Sequence, residues 1–165
     1  MKISGLLYDL DDTLISRDNA FYEGFTRNFF NEFVDQDHLN FDQFLSIMKK
    51  ADGLTKWSPD KKILFDELKK FVNLDHESSF YIDFFWESIV NSVEPDPEAN
   101  KHLEKLNNIN FPWGVLTNGY KYQHEKMKRS GVGNLAPFYI VSGDFGCHKP
   151  CKEVFIEASK KIDLP

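Results

Sequence analysis

"LLYDLDDTLI", residues 6–15, runs from apolar side chains directly into three carboxylates, Asp9, Asp11 and Asp12. Carboxylates a few ångströms apart repel one another and resist ionising together. A strand that delivers them to one place therefore calls for a cation, or for a reaction that uses two carboxyl groups in different protonation states. Residues 3–9 read as a buried strand with little alternation, the pattern of a parallel strand covered on both faces. What else converges on that strand end decides the fold.

Bulk properties narrow the field. A chain of 165 residues is one domain of ordinary size, or one domain carrying an insertion, and can bury a core. Twenty basic against 26 acidic residues give a net charge of −6 with no Lys/Arg block, which argues against a nucleic acid polymer as partner. The first apolar run is too short for a signal peptide, and no stretch approaches membrane-spanning length, so no membrane partner is expected. Two cysteines, Cys147 and Cys151, do not make a disulfide framework, which points to the reducing cytoplasm.

Composition changes twice along the chain. From about residue 17 to 93 the pattern is helical, with Phe21, Phe25, Phe29 and Phe33 at i, i+4, i+8 and i+12 on one side of an amphipathic helix. Further helices are expected over 41–52, over 59–73 after the Ser58-Pro59 start signal, and over 78–92. Twelve of the sixteen phenylalanines lie between residues 21 and 85, so this aromatic stripe reads as a helical core rather than a ligand-stacking surface. "EPDPEA", residues 94–99, then punctuates the chain, and Pro97 opens a helix through Leu106. Two short strands follow, "WGVLT" (113–117) and "FYIVS" (138–142), separated by a helix near 120–130 and followed by one over about 151–161.

Each strand ends in polar, reactive residues. The first ends at Asp9 and Asp11, the second at Thr117-Asn118-Gly119, and the third leads through "GDFGCHKP" to Lys149. In an open α/β sheet, ligands bind beyond the carboxyl ends of the strands, so parallel strands would bring these groups together. Clustered carboxylates favour a hard divalent cation, Mg²⁺ before Zn²⁺. A hydroxyl, backbone N–H groups and a lysine are what a phosphate needs. Together they point to phosphoryl transfer through an aspartyl-phosphate.

The three segments resemble, in order, the motifs of the haloacid dehalogenase superfamily. "LLYDLDDTL" looks like its first motif, a hydrophobic strand followed by D-x-D-x-T, and "VLTNG" is similar to its second. "SGDFGCHKP" resembles its third, with a lysine before proline, and residues 17–93 match the position of the family's helical cap. The resemblance implies a parallel-sheet, Rossmann-like α/β core over 1–16 and 94–165, with a mostly helical cap inserted over 17–93. It implies Asp9 as the nucleophile, and Asp11 as general acid to the leaving alkoxide and then general base to water. Thr117 and the amides around Asn118 would bind phosphate oxygens, Lys149 would offset their charge, and Mg²⁺ would be held at Asp9 and Asp11. A haloalkanoate dehalogenase lacks an acidic residue at the position of Asp11, so a phosphatase is preferred. Its substrate would be a small phosphorylated metabolite, with nucleoside monophosphates or sugar phosphates the first candidates.

Asp12 reads as a solvated or capping carboxylate. Asp144 is read either as orienting Lys149 or as loop filler. A zinc site through Cys147, His148 and Cys151 is set aside, because no second ligand cluster accompanies it. The family's fourth motif, a strand ending in an acidic pair, would begin where this chain stops at Pro165. The expectation is therefore an incomplete core, weak Mg²⁺ binding, little turnover, and self-association through the exposed edge of the first strand. A catalytically inactive binding or regulatory domain is the alternative from another class. A receiver domain ranks last, since its phosphoacceptor ends the third strand.

Overall fold

The computed structural model describes residues 3–56, 58 and 60–162; Pro59, read above as part of a helix start, and the terminal Pro165 lie outside them. The chain divides into two compact units, Asp18–Ser92 and a second made of Met1–Arg17 with Val93–Pro165.

The first of these is helical. It opens on a π-helical segment, Asn19–Phe25, that runs into α1 (Thr26–Phe33). One regular amphipathic helix was expected here. The wider turn is secured by Thr26, whose backbone N–H and hydroxyl both donate to the Phe21 carbonyl, the hydroxyl at 2.8 Å. Gly24 is needed where this segment meets Ser92, because a Cβ built on it would lie 2.1 Å from Ser92 Cβ. α2 (Phe41–Thr55) starts at a capping box: Asn40 Oδ1 accepts from Gln43 N, and Gln43 Oε1 accepts from Asn40 N. α3 (Lys62–Leu68) is shorter than the helix expected over 59–73, because the chain turns after Leu68 and buries Val72 and Leu74. A 3₁₀ turn, Ser78–Phe80, leads into α4 (Tyr81–Asn91).

These helices close around an aromatic core. Phe29 is fully buried, and the rings of Phe25, Phe33, Phe44, Phe65, Tyr81 and Phe84 lie with centroids 5.0–6.1 Å from its own. Most of these contacts are tilted or edge-on, the arrangement that the aromatic quadrupole favours.

The second unit is α/β. β1 (Leu6–Tyr8) is only three residues long and half-buried, shorter and more exposed than the strand expected over 3–9. α5 (Pro97–Asn108) begins at Asp96, whose side chain accepts from Glu98 N and Ala99 N, with Pro97 where its missing N–H costs nothing. β2 (Trp113–Thr117), α6 (Lys121–Arg129), α7 (Val132–Leu135), β3 (Tyr139–Val141), α8 (Ser142–Phe145) and α9 (Lys152–Lys161) follow. The strands form one parallel sheet in the order β1-β2-β3, with Tyr8 opposite Val115 and Val115 opposite Tyr139. β2 is the central strand and is buried throughout. Gly114 has no side chain because the Phe138 ring lies there; a Cβ would sit 2.2 Å from it. All three strands therefore end on the same side of the sheet. No helix among the described residues is long and apolar enough to cross a membrane.

Truncating Phe29 removes the ring at the centre of the aromatic core. Phe29→Ala is expected to cost about 3–5 kcal/mol in urea unfolding, whereas Leu54→Ala, at a side chain that is 69 % exposed, should stay within about 0.5 kcal/mol of the parent. Equal effects of the two would contradict this packing.

Candidate active site

Asp9 is the residue that follows β1. Its Oδ1 accepts from Leu10 N at 2.7 Å and pairs with Lys149 Nζ at 2.8 Å. Both contacts fall on one oxygen, and Oδ2 has no partner among the described residues. Leu10 is fully buried and starts a tight turn, with Leu14 N and Ile15 N donating to its carbonyl. Asp12 adopts a left-handed φ of 57° in that turn, a conformation that aspartate tolerates better than most residues, and its Oδ1 accepts from Arg17 N. Its carboxylate serves the turn, as the capping reading expected. Tyr8, just before Asp9, bonds His102 Nε2 through its hydroxyl at 2.7 Å, and burial pushes its phenol above the ordinary range.

Asp11 turns to α6. Its Oδ1 pairs with Lys126 Nζ at 2.7 Å, and its Oδ2 accepts from Gln123 Nε2 at 2.8 Å. The same Gln123 nitrogen lies 2.7 Å from Thr117 Oγ1 and 2.8 Å from the Asn118 carbonyl, so one amide ties the end of β1 to the end of β2. Thr117, Gln123 and Lys126 are all buried.

The third strand's loop is tied to the second by Asn118. Its Oδ1 accepts from Lys149 N at 2.7 Å and its Nδ2 donates to the Lys149 carbonyl at 3.1 Å. Lys149 Nζ also donates to the Leu116 carbonyl at 2.8 Å, which aims the ammonium back along β2 toward Asp9. The Lys149–Pro150 peptide is cis. Beside it, Ser142 Oγ and His148 Nδ1 lie 2.6 Å apart, and Tyr120 hydroxyl and His148 Nε2 lie 3.1 Å apart. Gly143 N donates to the Gly119 carbonyl at 2.9 Å, an approach that a side chain on Gly143 would block.

The Asn118 side chain is committed to the Lys149 backbone, which leaves for a ligand the main-chain amides that were expected to serve one. Two other expectations need revision. Asp144 does not orient Lys149; it pairs with His124 Nε2 at 2.7 Å. Cys147 and Cys151 are bonded to each other across a sequence separation of 4, which removes the cysteine argument for a reducing compartment. Glu153 lies within 4.8 Å of both sulfurs, but disulfide sulfurs are not thiolate metal ligands. Gln123, Lys126 and Ser142 were not singled out from the sequence, and His148 was considered only as a zinc ligand. The spacing of Gln123 and Lys126 puts them on one side of a helix that starts just behind Thr117. On so polar a segment as "KYQHEKMKR", that spacing reads as a solvated face.

A family model for haloacid dehalogenase-like hydrolases matches residues 6–165. This chain belongs to that family, and it is a hydrolase by that membership. It is 29% identical over 167 residues to a glyceraldehyde 3-phosphate phosphatase of Methanocaldococcus jannaschii, covering 98% of this chain and 72% of that protein. A protein of the same name from Methanopyrus kandleri is 22% identical over 169 residues, covering 98% of this chain and 71% of its own length. Among solved structures, YfnB of Bacillus subtilis, a candidate HAD-hydrolase solved with magnesium bound, superposes with a TM-score of 0.71 at 21% identity. That match covers 98% of this chain and 73% of YfnB, and it establishes a shared fold. The parallel three-stranded sheet with flanking helices is the Rossmann-like arrangement of these haloacid dehalogenase-like neighbours.

The reciprocal Asn118–Lys149 bonds predict a local effect. Asn118→Ala removes both, at a cost of about 1–3 kcal/mol. Amide hydrogen exchange should show loss of protection at Lys149 N–H, with little change at the α2 amides. Unchanged protection at Lys149 would contradict the assigned role.

Proposed function

We propose that this chain hydrolyses a small phosphate monoester through an aspartyl-phosphate formed on Asp9. The observation that carries the reading is the state of the Asp9 carboxylate. One oxygen is fixed by Leu10 N and Lys149 Nζ, and the other has no partner among the described residues. A nucleophile needs this combination of a held orientation and an uncommitted oxygen.

In the proposed sequence Asp11 takes up a proton from solvent as the substrate binds, Asp9 Oδ2 attacks phosphorus, and the ester oxygen leaves with the proton that Asp11 gives up. Asp11 then takes a proton from water as that water attacks the phosphorus of the acyl phosphate. Inorganic phosphate leaves and the Asp9 carboxylate is restored. Lys149 offsets the charge of nucleophile and phosphate at both stages. Thr117 Oγ1 accepts from Gln123 and its hydroxyl donates only a long 3.4 Å bond to the Asn118 carbonyl, which a phosphate oxygen would replace, alongside the main-chain N–H groups around Asn118. The donor set suits a hard cation: the Asp9 carboxylate, through the oxygen that does not attack, and the Asp11 main-chain carbonyl would hold Mg²⁺. When bound, the ion would contribute charge neutralisation to the phosphoryl group.

The acid at position 11 favours phosphatase over dehalogenase, because an alkoxide needs a proton to leave and a halide does not. The names of the curated relatives favour a three-carbon sugar phosphate over a nucleoside monophosphate. The helical unit, Asp18–Ser92, is proposed as the cap that selects among monoesters, its aromatic interior serving stability.

The test is a panel of glyceraldehyde 3-phosphate, other sugar phosphates, nucleoside monophosphates and p-nitrophenyl phosphate, with and without Mg²⁺. Asp9→Asn should abolish turnover on every ester that the parent hydrolyses, since a neutral amide is a poor nucleophile. Asp11→Asn should lower kcat by about 10²–10⁴-fold on sugar phosphates. Full activity of Asp9→Asn on any of them would overturn the mechanism.

A further inference from the structure

We infer that Gln123 and Lys126, on α6, are positioning residues that hold the Asp11 carboxylate in place for proton transfer to the leaving group. This rests on the reading of Asp11 as general acid and adds two residues to that site.

Both oxygens of Asp11 are engaged from one helix, Oδ1 by Lys126 Nζ at 2.7 Å and Oδ2 by Gln123 Nε2 at 2.8 Å. Such two-point attachment fixes both torsions of the side chain, where a single contact would leave it free to pivot. The donors themselves are held. Gln123 and Lys126 are each only 6% exposed, so neither has room to follow a moving carboxylate. Lysines are almost never buried to this degree unless paired, because an ammonium out of water needs an anion. The other basic residues of α6, Lys121, Lys128 and Arg129, are exposed, so the burial of Lys126 is specific to its position and not a property of the helix.

Gln123 carries a second constraint. Its Nε2 also contacts Thr117 Oγ1 and the Asn118 carbonyl, which places Asp11 in register with the end of β2, where the phosphate would sit. The two cations of the site thus divide the work. Lys149 meets Asp9, and Lys126 meets Asp11. Losing Lys126 would leave Asp11 on one hydrogen bond and able to rotate, and a displacement of about 1 Å at a reacting group costs on the order of 10²-fold.

This role has a chemical signature that a merely structural role lacks. A basic alkoxide leaves only with a proton, so hydrolysis of an alkyl phosphate needs Asp11 in place. The 2,4-dinitrophenolate ion leaves without one. The experiment measures kcat/KM of the full chain on glycerol 3-phosphate and on 2,4-dinitrophenyl phosphate. It compares the parent with Lys126→Met, Lys126→Arg, Gln123→Leu, Asp11→Asn and the double variant Asp11→Asn/Lys126→Met.

Lys126→Met should lose about 10²-fold on the alkyl ester and less than about 10-fold on the dinitrophenyl ester. Lys126→Arg should recover most of the alkyl loss, and Gln123→Leu should lose in the same sense as Lys126→Met. The double variant should be no worse than Asp11→Asn alone, because Lys126 acts through Asp11. Equal losses on both esters, or additive losses in the double variant, would overturn the inference. If Lys126→Met fails to fold by circular dichroism, Gln123→Leu makes the same comparison. If Asp11→Asn itself affects both esters equally, the general-acid reading fails and this inference fails with it. Ester selectivity in Asp11→Asn without any in Lys126→Met and Gln123→Leu would overturn the positioning role alone.

Discussion

Two carboxylates at the end of one short strand are tolerable here because each meets its own ammonium. Lys149 lies 2.8 Å from Asp9 and Lys126 lies 2.7 Å from Asp11. The second pair is the more buried, with 7 % of the Lys126 side chain and 26 % of the Asp11 side chain exposed. At that depth, removing either partner strands a charge away from water, which typically costs about 3–5 kcal/mol. The surrounding structure follows from this need. β2 must run parallel between β1 and β3 so that α6 arrives behind Asp11 and the third loop arrives beside Asp9. Asn118 then grips the Lys149 backbone, and Gln123 bridges Asp11 to Thr117.

The main features of this arrangement were legible in the sequence for a physical reason. Carboxylates, a Thr-Asn-Gly turn and a lysine each followed a short apolar run, and parallel strands bring such ends to one side. Asp9, Asp11, Thr117 and Lys149 could be picked out because they are polar residues where an apolar pattern stops. Gln123 and Lys126 could not, since a glutamine and a lysine within a polar helix look the same whether they face water or a buried carboxylate. Asn118 was identified, but its main task was not. A side chain that bonds a backbone 31 residues away leaves no local trace.

The fold shows the same division. The phenylalanine spacing identified a helical core, and the structure seats Phe21, Phe25 and Phe29 in it. The π turns before Thr26 depend on a hydroxyl reaching the Phe21 carbonyl, which periodicity does not encode. The length of β1 was overestimated because apolar residues extend beyond the three that pair with β2. The bond between Cys147 and Cys151 depends on how the loop around Lys149 folds back, not on how many cysteines the chain has.

The central claim is that Asp9 becomes covalently phosphorylated. It is tested most directly by mixing the protein with glyceraldehyde 3-phosphate and Mg²⁺, quenching in acid within the first turnover, and mapping the peptides by mass spectrometry. The account predicts a mass gain of one phosphoryl group on the peptide that contains Asp9. That gain should disappear at alkaline pH, where acyl phosphates hydrolyse, and it should be absent from Asp9→Asn. Turnover of the ester with the phosphoryl group on another residue, or with no phosphorylated protein in an Asp11→Asn variant that still cleaves dinitrophenyl phosphate, would contradict it.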